Sequence, residues 1–343
     1  MSRRIAGLTS VVAAAALAIG CGGGSDTGAG DGDGAIDAAP DGRACDPDRP
    51  RAVAPEVLVG PAGLEERIAG VIDAATGSID VHMYTFTVDR IVDRLVAADR
   101  RGVPVRVILD PSQLTPSTRS RLEAGGVEVK LASASFPNAH AKYVVVGGAS
   151  GFAVVLSANF TIAGFDDQRN YGVIDRDPED VADLASIFAA DWAGQPAALD
   201  CSRLVVSPGD ARGRVIGLIA GAQQTLEAEL FYLADSAVRQ AIVSAHGRGV
   251  AVRVLLADPS DMNDNATTAD TLKAAGIPVK VMATPDVHAK LLVADGVALI
   301  GSHNMSTTSL RDNREVGVIV REGTAAMPAR QRFEQDWTAA TAW

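Results

Sequence analysis

From residue 56 onward the apolar positions switch period repeatedly. Leu64, Ile68, Val71 and Ile72 recur at helical spacing and lead into alternation from Ile79 to Phe86, which predicts a helix followed by a strand. Ile91, Leu95 and Val96 predict a second helix that ends at Arg101-Gly102, where glycine suits the residue just past a helix. The apolar run from Val103 to Leu109 predicts a buried strand, followed by a polar loop, another helix and further strands around residues 140 and 157. The series then returns. Val215, Ile216, Leu218 and Ile219 read as helix, Leu226 to Tyr232 as strand, Val238, Ile242 and Val243 as helix, and Val250 to Leu256 as buried strand after Gly249. Such alternation predicts α/β lobes, each a mixed sheet flanked by helices.

The two series are copies. At an offset of 147, Arg67-Ile-Ala-Gly70 lies over Arg214-Val-Ile-Gly217, and the segment 101–109 lies over 248–256. Asp110-Pro-Ser then matches Asp258-Pro-Ser, and Arg169-Asn170-Tyr-Gly-Val matches Arg314-Glu315-Val-Gly-Val. An internal repeat of this length places one compact lobe at 56–198 and a second at 199–343.

The shared residues carry chemistry. His140-Ala-Lys142 is followed by Ser157-Ala-Asn159, and His288-Ala-Lys290 by Ser302-His-Asn304. A His two places before a Lys on an alternating segment puts both side chains on one face of a strand. Cleaving a phosphodiester needs a nucleophile, an acid for the leaving alcohol and positive donors for the phosphoryl oxygens. His140 and His288 would supply the first two, Lys142 and Lys290 the charge, and Ser157, Asn159, Ser302 and Asn304 neutral donors. Only five lysines occur, and two of them sit in these motifs. Nothing at the motifs resembles a metal-binding carboxylate cluster, and no cofactor is expected.

The run His288-Ala-Lys290 to Asp295, with Gly301-Ser-His-Asn304 and Asn313-Arg-Glu315 after it, resembles the HxKxxxxD motif of the phospholipase D superfamily and its trailing GSxN and NRE. His140-Ala-Lys142 with Ser157-Ala-Asn159 resembles the same motif, so the likeness covers residues 56–343. It implies two pseudo-symmetric phospholipase D-type lobes with one active site between them, and phosphodiester cleavage without a metal through a phosphohistidine. One chain then holds both half-sites, so a monomer suffices. The copies differ: Asp295 is matched by Gly147, and Glu315 by Asn170. If these downstream residues orient the histidines, His288 has a carboxylate partner and His140 an amide. A carboxylate raises an imidazole's pKa, so the expectation is His140 as neutral nucleophile and His288 as protonated acid. Asp295 is expected to brace its motif. His303 is either a substrate contact or a position free to vary, and Tyr84 and Tyr232, one step out of register, either line the cleft or pack.

The N-terminus reads as targeting. Arg3 and Arg4 precede an apolar run from Ile5 to Ile19 that ends Leu17-Ala-Ile-Gly-Cys21, similar to the lipobox of bacterial lipoproteins. That likeness implies a signal peptide over 1–20, lipidation of Cys21, and an exported bacterial protein held on a membrane surface. Residues 21–55, rich in Gly, Ala and Asp, read as a flexible tether. Cys45 and Cys201 then remain for a disulfide. The chain carries −11; residues 1–50 hold four Arg and seven Asp, which leaves 27 basic against 35 acidic side chains, a net of −8. An acidic body disfavours a general nucleic-acid partner. The reading is a membrane-tethered phosphodiesterase whose partner is phospholipid, by hydrolysis or transphosphatidylation. The alternatives are an exported nuclease and a non-catalytic phosphate-ligand binding lipoprotein.

Overall fold

The computed structural model describes residues 45–147, 151–199 and 201–343. Cys21 and the segment read as signal and most of the tether lie outside them. The first lobe contains β1 (Glu56–Val59), β2 (Ile79–Met83), β3 (Val105–Leu109), β4 (Glu128–Leu131), β5 (Lys142–Val146), β6 (Phe152–Leu156), β7 (Gln168–Arg169) and β8 (Tyr171–Asp175). Its helices are α1 (Leu64–Asp73), α2 (Asp89–Arg100), α3 (Pro116–Ala124) and α4 (Pro178–Ala193). The second lobe contains β9 (Leu204–Ser207), β10 (Thr225–Leu230), β11 (Ala251–Ala257), β12 (Val279–Met282), β13 (Asp286–Val287), β14 (Lys290–Ala294), β15 (Val297–Gly301), β16 (Glu315–Val320) and β17 (Thr341–Ala342). Its helices are α5 (Ala211–Gly221), α6 (Ser236–Gly247), α7 (Asp264–Ala274), α8 (Thr307–Arg311) and α9 (Met327–Ala339).

The first sheet runs β1-β8-β6-β5-β2-β3-β4, and the second β9-β16-β15-β14-β10-β11-β12 with β17 added at the edge. In each, the β2-β3-β4 or β10-β11-β12 trio is parallel and the other pairings are antiparallel. These are the mixed sheets that the repeat predicts. All five residues of β5 and of β14 are buried, so after each lysine the run is continuously apolar and both faces of the strand are covered, rather than alternating as the sequence predicts.

The faces turned away from the lobe interface pack on α1 and α2, or on α5 and α6, through clusters that include Ile68, Val81 and Leu95 in one lobe and Val215, Ala228 and Ile242 in the other. The opposite faces share a third core: Tyr143, Val155 and Phe188 meet Leu291, Ile300 and Phe333 there. Two buried ion pairs cross this core in opposite directions. Arg169 reaches Asp336 of α9 at 2.6 Å, and its repeat equivalent Arg314 reaches Asp191 of α4 at 2.9 Å. A segment before β1 straps the lobes as well: Arg51 is buried between Asp175 and Asp180 of one lobe and Glu322 of the other. Cys45 is bonded to Cys201 in a disulfide with a Cα–Cα distance of 5.3 Å.

Candidate active site

His140 and His288 immediately precede β5 and β14. Antiparallel pairing sets Lys142 opposite Met83 and Lys290 opposite Leu230, the last residues of β2 and β10. Each motif therefore lies where the parallel strands end and their loops begin, the usual ligand end of an α/β sheet. The Asp110 carboxylate accepts from the Ala139 N–H at 2.6 Å and so pins the residue before His140.

The lobes then exchange partners. The Arg314 N–H donates to the Asn138 carbonyl, and the His288 N–H to the Arg169 carbonyl. These backbone bonds aim the residue after each Arg at the histidine of the other lobe. His140 Nδ1 lies 2.8 and 2.9 Å from the Glu315 carboxylate oxygens, whereas His288 Nδ1 lies 3.0 Å from Asn170 Oδ1. The within-copy pairing expected from the sequence is thus reversed: His140 has the carboxylate and His288 the amide. A repeat offset reports equivalence between lobes, not which lobe a side chain faces.

The surroundings fix both tautomers. Asn170 Nδ2 donates to the Gly164 carbonyl at 3.0 Å, and Ser157 Oγ donates to Asn170 Oδ1 at 2.8 Å, so Oδ1 accepts and His288 Nδ1 carries the proton. Glu315 can only accept, so His140 also donates from Nδ1. Both Nε2 atoms keep a lone pair. Burial would raise the Glu315 carboxyl, but His140, His303 and Lys142 hold it down to about 2. Burial lowers His140 against the pull of Glu315, and it lowers His288 well below the ordinary value with the help of Lys290 and Lys142.

Both lysines are buried. Lys142 Nζ donates to the His140 carbonyl at 2.6 Å and Lys290 Nζ to the His288 carbonyl at 2.8 Å. Burial brings Lys142 down to about 7 and Lys290 well below 10.5. Two lysines and two histidines are gathered around the Glu315 carboxylate, with Asp110 acting on Lys142 and Asp286 on Lys290, a cluster of basic groups suited to an anionic phosphodiester.

The remaining expected residues divide by place. Ser157 Oγ and Ser302 Oγ are taken up by the neighbouring strand: Ser157 accepts from Tyr171 N–H, and Ser302 exchanges hydrogen bonds with the Val316 backbone. They brace the strands carrying Asn170 and Glu315 rather than offering the free phosphate donors expected. Asn159 and Asn304 are only partly buried, and each keeps a buried Oδ1 without a partner among the described residues. Asp295 lies at the far end of β14, where its carboxylate accepts from the backbone N–H groups of Gln223, Gln224 and Thr225 at 2.6, 2.9 and 2.8 Å. Its repeat equivalent Gly147 hydrogen-bonds to Ser78 O. The missing aspartate therefore sits a strand's length from His140.

Two contributors, Phe231 and Ser309, went unread, and Tyr84 is placed in the cleft. Tyr84 lies 4.5 Å from the His140 ring and under Lys142, and Phe231 lies 5.1 Å from the His288 ring and under Lys290. The offset of 147 pairs Tyr84 with Phe231. Tyr232 instead points its hydroxyl at Asp264. Ser309 Oγ donates to Glu315 at 2.5 Å; its repeat equivalent is Gly164, whose carbonyl receives Asn170. A carboxylate needs a donor where an amide needs an acceptor, and the copies differ accordingly. His303 is buried beside Gly317, with neither ring nitrogen bonded among the described residues.

The PLD-like domain of cardiolipin synthase matches residues 68–192 and again 215–337, one match for each lobe. The chain belongs to the phospholipase D superfamily. Within this superfamily it is 31% identical over 129 residues to a mitochondrial cardiolipin hydrolase of Danio rerio, covering 37% of this chain and 56% of that one. It is 24% identical over 319 residues to the probable cardiolipin synthase YwiE of Bacillus subtilis, covering 76% of this chain and 61% of the relative. The chain thus spans less than two thirds of these relatives. The phosphatidylserine synthase of Haemophilus influenzae shares the fold at a TM-score of 0.66 and 12% identity, over 85% of this chain and 88% of that one. Polyphosphate kinase of Porphyromonas gingivalis shares it at 0.66 and 16% identity, over 82% of this chain and 46% of that one.

Proposed function

We propose that this phospholipase D-superfamily protein is a phosphodiesterase acting on phospholipid through a phosphohistidine on His140. The observation that carries the reading is the crossed pairing of His140 with Glu315 and His288 with Asn170 beside two buried lysines. The His140 Nε2 lone pair attacks phosphorus, and the ring becomes a positively charged phospho-imidazole. Glu315, held on Nδ1–H, stabilises that charge where water is excluded. His288, protonated as the anionic substrate offsets the neighbouring lysines, gives its Nε2 proton to the departing alkoxide. Neutral again, it takes a proton from water as the oxygen attacks phosphorus and the P–N bond to His140 breaks. An alcohol in place of water gives transphosphatidylation. Lys142, Lys290, Asn159 and Asn304 serve the phosphoryl oxygens. The assignment of His140 as nucleophile is the one expected from the sequence, now resting on the opposite pairing.

The phospholipid assignment draws on the cardiolipin and phosphatidylserine enzymes that the chain resembles and on its acidic body. We also place it outside the cytoplasm as a Cys21-anchored lipoprotein, in keeping with the Cys45–Cys201 disulfide. The test incubates the protein and a His140→Ala variant with phosphatidylcholine or cardiolipin vesicles and with plasmid DNA, all in EDTA. Release of head group or phosphatidic acid that vanishes in the variant supports the proposal. Nicking of DNA alone makes it a nuclease, and silence on every substrate leaves the binding-protein alternative.

A further inference from the structure

A cavity of about 710 Å³ lies between the lobes, with residues of both in its walls. That volume is within the roughly 300–1,000 Å³ of ordinary ligand pockets. Its walls include Phe136, Pro196, Leu199, Leu204, Val206 and Pro208, with the Asp191–Arg314 ion pair at one side and the Cys45–Cys201 disulfide at the other. The pairing of β9 with β16 orients it: Ser207 sits opposite Glu315 at the catalytic end, and Leu204 sits opposite Val318 farther down the sheet. The end of the cavity lined by Phe136, Pro208 and Arg314 is therefore the end nearer Glu315, and from there the wall follows the linker after α4 toward the disulfide.

Two features tie it to the reacting groups. Phe136 lies four residues before His140, and the Arg314 guanidinium stands 4.5 Å over its ring. Arg314 also precedes Glu315, and its backbone N–H holds Asn138, two residues before His140. An occupant would touch the segments that carry both members of the His140–Glu315 pair. The arginine is already satisfied by Asp191 and the Ser207 carbonyl, and Asp210 adds acidity at the wall, so among the described residues of the wall an anionic head finds no free cation to bind. An aliphatic chain needs no hydrogen-bond partner.

We infer that this crevice is an acyl-chain subsite, which holds one fatty chain of a phospholipid whose phosphate is at His140. The inference rests on the phosphodiesterase reading and adds the element of the substrate recognised outside the phosphate. Each methylene moved from water into such a site is worth about fourfold in affinity, so chain length should be felt in kcat/KM until the crevice is full.

The test uses the full chain, monomeric dibutyryl- and dihexanoyl-phosphatidylcholine, and bis(4-nitrophenyl) phosphate as a substrate without a tail. Ala197, on the linker, part of the wall and in no helix or strand, is replaced by Trp to fill the space. For the unaltered protein, kcat/KM should rise at least tenfold from the dibutyryl to the dihexanoyl lipid. In Ala197→Trp that ratio should collapse toward one, and the dihexanoyl rate should fall at least tenfold relative to turnover of bis(4-nitrophenyl) phosphate. Binding of Nile red, a neutral apolar dye, should weaken in parallel. An undiminished chain-length ratio and dye affinity in Ala197→Trp would overturn the subsite. A crevice that gains dye only after residues 1–44 are removed would assign it to the chain's own N-terminal segment and also overturn the proposal. Loss of all phosphodiester turnover, with Nile red still displaced by dihexanoyl lipid in an Ala197-dependent way, would sink the catalytic reading and leave the apolar site standing.

Discussion

Replacing Glu315 by Gln keeps the shape of the pair with His140 and removes its charge. Glu315 is fully buried and His140 nearly so, with Nδ1 at 2.8 Å from the carboxylate, so solvent screens the interaction little. Exchanging a charged hydrogen bond for a neutral one costs about 1 kcal/mol. Losing a full charge pair at about 4 Å costs about 4 kcal/mol at an effective dielectric constant of about 20. The two limits bracket a loss of about 5- to 1,000-fold in the step that creates positive charge on His140. That step is read as the burst of 4-nitrophenol when enzyme is mixed with excess bis(4-nitrophenyl) phosphate in a stopped-flow instrument. The burst rate should fall within that range while the unfolding temperature shows the variant folded. A burst rate within threefold of the parent would refute the role given to Glu315.

Other outcomes follow from the same geometry. Ser309→Ala strips Glu315 of its 2.5 Å donor and should slow the same burst about tenfold, consistent with about 1–2 kcal/mol for an underserved buried acceptor; an unchanged rate would remove Ser309 from the site. Because Lys142 is brought down to about 7 and must be charged to meet phosphate, while His140 must be neutral to attack, kcat/KM for bis(4-nitrophenyl) phosphate, whose leaving group needs no proton from His288, should rise with pH through the lowered His140 value and fall again above about pH 7. A profile still climbing at pH 9 would contradict this. Burial and the neighbouring Asp336 raise Glu229 to about 8, so its proton favours the folded state fully below the unfolded pKa of about 4.5 and that contribution is lost as pH rises through 8. Glu229→Gln should therefore flatten the fall in unfolding temperature between pH 5 and 9, measured by scanning calorimetry; parallel curves would count against it. Gly147→Asp should restore no activity, because the position lies at the far end of β5 from His140 and its Cβ would displace only the Ser78 hydroxyl; a rise in kcat would show that the motif aspartate acts on the site.

The sequence carried the duplicated architecture because its period switches and its copied segments are local, and local patterns survive in one dimension. His140, Lys142, His288 and Lys290 were legible for a related reason: each pair is set by spacing along a single strand. The partner exchange was not legible. It depends on two backbone bonds between lobes, from Arg314 to Asn138 and from His288 to Arg169, and nothing in either copy alone reports them. Phe231 was within reach, since the offset that aligns the strands pairs it with Tyr84, but the likeness of Tyr232 drew attention to the wrong neighbour. Ser309 becomes intelligible only once Glu315 is known to need a donor where Asn170 needs the Gly164 carbonyl. The serines misled because a hydroxyl beside a motif histidine can serve either a substrate or a strand, and here Tyr171 and Val316 claim them.

The central claim is tested most directly by trapping the intermediate. The protein is mixed with phospholipid or bis(4-nitrophenyl) phosphate, quenched in base to preserve phosphohistidine, digested, and sequenced by mass spectrometry for the peptides containing residues 140 and 288. The account predicts phosphoryl mass on His140 and none on His288. Modification of His288, or product formation with neither histidine labelled, would contradict it.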